Sequence, residues 1–176
     1  DGPRAIQAGT VTASRATGAT GYAIDAHVAD SCHATSNSGI AIGAANGCTA
    51  NNCYAFSYFN WGLDAFNATG CYAGSQTGYG ARVLFTASGC YAETQSGLVA
   101  LASTEAVACA ADHQGTYGER RGLHSNGTTS FCYAHVAGSG ASGTPVTLTA
   151  AIAAGCVVDG VLTTSVPAGK KFLGTP

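Results

Sequence analysis

The chain contains no methionine, one tryptophan and only 8 leucines in 176 residues. Charged residues make up 9%, and 7 Lys and Arg stand against 9 acids for a formal net charge of −2. So little basic charge leaves no electrostatic footprint for a nucleic-acid partner. The longest apolar run, Ala150 to Val158, has nine residues, too few to span a membrane. Scarce leucine argues against a helical bundle, and scarce charge argues against a self-repelling disordered coil. None of the eight cysteines forms a Cys-x-x-Cys or a Cys-x-x-Cys-His, so a zinc, iron–sulfur or haem centre has no ligand frame. The histidines, at 27, 33, 113, 124 and 135, are scattered, and no metal or cofactor is expected. A chain that opens on Asp1 and lacks Met reads as a processed product or a fragment. Low charge with abundant Ser, Thr, Asn and Gly fits a secreted or cell-surface protein.

What the chain has instead is 34 alanines and 25 glycines, a third of its length, and they recur. A Gly followed by an apolar segment appears at Gly21, Gly39, Gly62, Gly78, Gly97 and Gly122. Nine to twelve residues after each comes a Cys-x-Ala, led by Cys32, Cys48, Cys71, Cys90, Cys109 and Cys132, with Cys53-Tyr54-Ala55 as an extra copy. Two markers in constant order over about 120 residues indicate a repeat architecture. The local apolar period is two, which means strands. One coil cannot bury its own inner face, but stacked coils make a continuous core. Small inward residues suit a narrow interior, which accounts for the composition. The expectation is an all-β solenoid of six to seven short coils over 1–144, separated by about 4.8 Å. Residues 138–144 read as a Gly/Ser-rich connector, and 145–176 as terminal strands and a basic tail that pack on the solenoid or continue it.

The units Asn46-Gly47-Cys48-Thr49-Ala50 and Gly89-Cys90-Tyr91-Ala92 resemble repeats of right-handed parallel β-helix proteins of the pectate-lyase-like superfamily, in particular repeat segments of large secreted bacterial β-helix proteins. The resemblance covers roughly residues 10–140 and implies an architecture rather than an activity.

If each Cys-x-Ala holds the same place in its coil, Cys32, Cys48, Cys71, Cys90, Cys109 and Cys132 stack inward as a ladder of small apolar residues. Disulfides are the competing expectation, with Cys48, Cys53 and Cys156 the leading exceptions because they fall off the regular spacing. The residue between Cys and Ala points outward, giving His33, Thr49, Tyr72, Tyr91, Ala110 and Tyr133. His33, Tyr72, Tyr91 and Tyr133 are therefore candidates for a subunit or glycan contact, against the plainer role of covering a strand surface. The next outward row brings Glu93, Asp112 and His135 onto successive coils. Carboxylates about 5 Å apart are the arrangement of a retaining glycosidase, but a solvated strand face is the plainer alternative, so these three are only weak catalytic candidates. Asn67-Ala68-Thr69 and Asn126-Gly127-Thr128 match the glycosylation sequon.

Two functions stay open. The first is a non-enzymatic, self-assembling structural subunit of an extracellular fibre or surface appendage, its partner being itself, head to tail or laterally. The alternative is a carbohydrate-binding or polysaccharide-cleaving module such as an adhesin, spike or glycosidase fragment.

Overall fold

Alternation of small apolar and polar residues produces parallel strands throughout. The computed structural model describes residues 4–18, 20–43, 47–115, 121–136, 146–150, 152–159 and 172–173. Among them every regular element is a strand, and all strand pairs are parallel. The protein is an all-β parallel solenoid.

Two sheets run along the stack. One has eight short strands, Arg15–Gly18, His33–Ser36, Tyr54–Ser57, Tyr72–Ser75, Tyr91–Thr94, Ala110–His113, Tyr133–Val136 and Val157–Asp159, each paired with the next. The other is built from longer strands such as Ile24–Asp30, Leu63–Thr69, Ala81–Ser88 and Val99–Val107. Strand Ala81–Ser88 shifts register against both of its neighbours between Val83 and Thr86. There, successive residues Leu84 and Phe85 both face solvent, so the sheet bends outward as a bulged strand does. Strands Val146–Thr149, Ile152–Ala154 and Val157–Asp159 pair with the preceding coil and continue both sheets. The Gly/Ser connector 138–144 and Lys170–Lys171 of the basic tail lie outside the described residues.

The core is a set of columns, because register places like residues over like. Ile24, Ile42, Leu63, Ala81, Leu101 and Leu123 pair in succession. All six are buried. Ala29, Ala50, Ala68, Ala87 and Ala106 form a second column. Ala34, Ala55, Ala73, Ala92, Ala111 and Ala134 form a third, in the short-strand sheet. Two sheets facing each other across so narrow an interior leave room for little beyond Ala at most positions.

The corner between the sheets is made by one residue per coil in the left-handed region: Ala13, Ser31, Asn52, Gly70, Gly89, Ala108, Phe131 and Gly155, with φ between 45 and 60°. From the second coil on, the next residue is Cys32, Cys53, Cys71, Cys90, Cys109, Cys132 or Cys156. The frequent Gly-Cys dipeptide therefore records a backbone requirement, since Gly enters this conformation without the Cβ penalty.

This corner corrects the expected cysteine ladder. Cys53, not Cys48, holds the ladder place: Tyr54 N donates to Cys32 O and Tyr72 N to Cys53 O, both at 2.8 Å. Cys48 instead precedes Thr49–Asn51 in the long-strand sheet, where its carbonyl accepts from Phe66 N at 2.7 Å. Cys156 extends the ladder at the far end, beside Val157 N donating to Cys132 O at 2.8 Å. A coil carrying two Cys-x-Ala copies offers two registers; both copies follow a positive-φ residue, Gly47 at 92° and Asn52 at 51°, and the short-strand sheet takes up the second. All eight cysteines are free thiols. Several donate to the carbonyl two residues back, as Cys32 Sγ does to Asp30 O at 3.2 Å and Cys53 Sγ to Asn51 O at 3.1 Å. Burial pushes the Cys48 thiol up to about 12.

The glycine marker is also uneven. Gly39, Gly78 and Gly97 hold equivalent corner positions, but in the coil between Gly39 and Gly78 that place is taken by Asn60. Gly62 and Gly122 belong elsewhere in their coils.

Candidate functional site

The outward face of the short-strand sheet gathers most of the residues picked out from the sequence. In register along it stand His33, Tyr54, Tyr72, Tyr91, Ala110 and Tyr133. The rings of His33, Tyr54, Tyr72 and Tyr91 stack face to face, with centroids 4.5, 4.7 and 5.5 Å apart and interplanar angles of 7, 1 and 14°. The rise of parallel strands sets this spacing. Tyr54 occupies the place that the marker spacing gives to Thr49. Its signal is nonetheless present in Cys53-Tyr54-Ala55, which matches the other Cys-Tyr-Ala units. Tyr133 lies on the same face but is separated from Tyr91 by Ala110.

The neighbouring row runs Thr35, Phe56, Gly74, Glu93, Asp112 and His135, again in register. Glu93 and Asp112 are directly paired, and Asp112 is paired with His135. Phenols and carboxylates interlock. Tyr72 OH donates to Glu93 Oε1, and Tyr91 OH reaches Glu93 Oε2 at 3.4 Å and Asp112 Oδ2 at 3.5 Å. His135 Nδ1 donates to Asp112 Oδ1 at 3.0 Å, and Gln114 Nε2 to Asp112 Oδ2 at 3.2 Å. Chemically this is an acceptor-rich strip edged by rings. Among the described residues no group of three His, Cys, Asp or Glu side chains converges to hold a metal ion.

The interlock shifts the phenols. Burial, then the carboxylates of Asp112 and Glu93, push Tyr91 from 10.0 up to about 12. Burial and the hydrogen bond to Glu93 raise Tyr72 as well. Both shifts favour the neutral phenol in the folded state. For Tyr91 the stabilisation is whole below the unfolded value near 10 and is lost as pH rises through the folded value near 12. Alkaline titration followed by tyrosinate absorbance is expected to show late-ionising tyrosines, and Glu93→Gln to shift part of that absorbance to lower pH. An unchanged titration curve in Glu93→Gln would remove the interlock.

A second cluster, on the long-strand sheet, has no counterpart in the sequence motifs. Arg82 binds Asp64 in bidentate fashion, Nε to Oδ1 at 2.9 Å and Nη2 to Oδ2 at 2.7 Å, and its guanidinium lies 3.9 Å from the Trp61 ring centroid. Arg4 pairs with Asp25 at 3.0 Å. Asp64 and Asp25 are buried, 7% and 8% exposed, so each needs its cation. The partners lie one coil apart, at a spacing that no local motif marks. Arg82→Ala is expected to cost on the order of 2 kcal/mol in urea unfolding, because it strands a carboxylate, and Arg82→Lys to recover little, since Lys lacks the planar fork.

No protein-family model matches the chain, and neither a characterised protein nor a solved structure shows significant similarity to it.

Proposed function

We propose that this protein is a non-enzymatic structural subunit of an extracellular fibre or surface appendage, assembling by continuing its solenoid stack from copy to copy. The observation that supports this reading is the translational identity of the rung contacts. Ala34 lies over Ala55 and Ala73, Ser36 over Ser57 and Ser75, and Tyr54 over Tyr72 and Tyr91. Each rung therefore offers on one side what it receives on the other. A contact of that kind is heterologous and repeats into an open filament unless it closes, and strand addition supplies its main-chain hydrogen bonds. In this reading the coils wind right-handed, in keeping with the repeats' resemblance to the pectate-lyase-like superfamily and with the usual hand of parallel crossovers. The extracellular placement rests on composition.

The carbohydrate-module alternative draws on Glu93, Asp112 and the tyrosines. Its weakness as a general sugar platform is geometric: stacked rings cover one another's faces and present only their edges, whereas a sugar packs on a ring face.

Size-exclusion chromatography with negative-stain microscopy tests the assembly. Concentration-dependent filaments with an axial repeat of about 4.8 Å in fibre diffraction are expected. A protein that stays monomeric at high concentration in both measurements would end this reading.

A further inference from the structure

Seven thiols stand in one file inside the solenoid. Cys32, Cys53, Cys71, Cys90, Cys109, Cys132 and Cys156 each donate to the carbonyl two residues back, at 3.1 to 3.5 Å. The same side-chain orientation therefore recurs in every coil. Each step along the stack is also the same main-chain bond. Tyr54, Tyr72, Tyr91, Ala110, Tyr133 and Val157 donate their amides to the carbonyls of Cys32, Cys53, Cys71, Cys90, Cys109 and Cys132, at 2.8 to 2.9 Å. Equal orientation and equal steps put successive sulfurs at the coil spacing, about 4.8 Å. The first six of these cysteines are 2 to 4% exposed, and the core around them is mainly Ala with Ile, Leu and Val.

That spacing decides what the file can bind. A disulfide needs sulfurs about 2.05 Å apart with both side chains turned towards each other, and parallel thiols on neighbouring coils stand about twice as far apart or more. A thiolate holds a closed-shell metal ion at about 2.3 Å. One ion midway between two sulfurs spans about 4.6 Å, which matches the step. Among the described residues no three ligands converge on one point, so a tetrahedral ion finds no site. Soft monovalent ions select sulfur and accept two ligands in a line. Charge favours them too. An ion M⁺ that displaces one thiol proton converts –SH and HS– into –S–M–S(H)– and H⁺, and the dry interior gains no net charge. A sulfur bonded on one side cannot take a second ion on the other, because thiolate bonds are bent and not collinear. The file therefore fills in pairs, and seven thiols hold three ions with one thiol left over.

We propose that the thiol file is a binding site for soft, two-coordinate metal ions of the Cu(I) type, each held between the sulfurs of two neighbouring coils. This is independent of the assembly proposed above. Cys48, which belongs to the long-strand sheet, takes no part.

The experiment is native mass spectrometry of the intact chain refolded from urea with an excess of Ag(I) nitrate in chloride-free buffer, silver being the redox-stable analogue of Cu(I). Refolding with the ion present admits it before the core closes. Three silver ions per chain are expected. The position of a missing thiol then decides the count. Cys71→Ala leaves runs of two and four thiols and should still bind three ions. Cys90→Ala leaves two runs of three and should bind two. Cys48→Ala should bind three. Independent binding by single thiols would instead give seven or eight ions and lose one in every variant. Any count other than three on the folded, unaltered chain overturns the proposal, and so does a loss in Cys48→Ala or an equal count for Cys71→Ala and Cys90→Ala. The first two of these results need no change in the ladder, so they hold even where a ladder variant fails to fold.

Discussion

Gly97→Ala is expected to unfold at far lower urea concentration than the unaltered chain, with a loss on the order of 3–5 kcal/mol. A Cβ at Gly97 would overlap the carbonyl of Gly78 on the preceding coil and stand 2.6 Å from Thr94 Oγ1. Neither neighbour can retreat. Gly78 O accepts from Thr94 Oγ1 at 2.8 Å, and Thr94 Oγ1 in turn accepts from Gly97 N at 3.0 Å. Moving the coil apart would also break strand pairs on both sides. Gly39 meets the Gly21 carbonyl in the same way, so the requirement belongs to the corner. Gly9 is the control, because a Cβ added there would meet nothing within 4 Å. Gly9→Ala should change stability by less than about 0.5 kcal/mol. Equal midpoints for the two variants would refute the close approach of the coils.

The second large effect is expected at Ser57. Its hydroxyl is fully buried, donates to Gly39 O at 2.7 Å and accepts from Asn60 N at 3.0 Å. It thus ties one coil to the one before it while closing its own turn. Ser36, Ser75 and Thr94 make the same pair of bonds in their coils. Ser57→Ala leaves a carbonyl and an amide without partners in a dry interior, at about 1–3 kcal/mol for each group. Ser57→Thr should restore most of the loss, because Thr94 already fills this place. Urea midpoints of the two variants decide the matter, and an Ala variant as stable as the Thr variant would sink the hydroxyl column.

Periodicity in the residue order was enough to show that the chain is a stack of short parallel strands with a core of Ala and Cys. That followed because a period of two and a coil-length repeat have few other solutions, and because a narrow interior selects small residues directly. It also placed Glu93, Asp112 and His135 on successive coils of one face, since their distances from Cys90, Cys109 and Cys132 are equal.

Other features arose only from packing coil on coil. The choice between Cys48 and Cys53 depended on where the left-handed corner falls, which two equally good Cys-x-Ala copies could not indicate. Tyr54 entered the stack, and Cys48 left the ladder, by that choice. The buried hydroxyl column was hidden because Ser and Thr also mark ordinary turns. In one coil it is continued by His113, whose Nε2 lies 2.5 Å from Gly97 O while Nδ1 accepts from Gly115 N at 3.1 Å. An imidazole spans the same donor–acceptor gap as a hydroxyl, yet nothing in the order of residues announces the exchange. The Arg82–Asp64 pair likewise exists only once coils of unequal length are brought into register. Backbone hydrogen bonding between coils sets that register, and it sums contributions from residues that no local pattern connects.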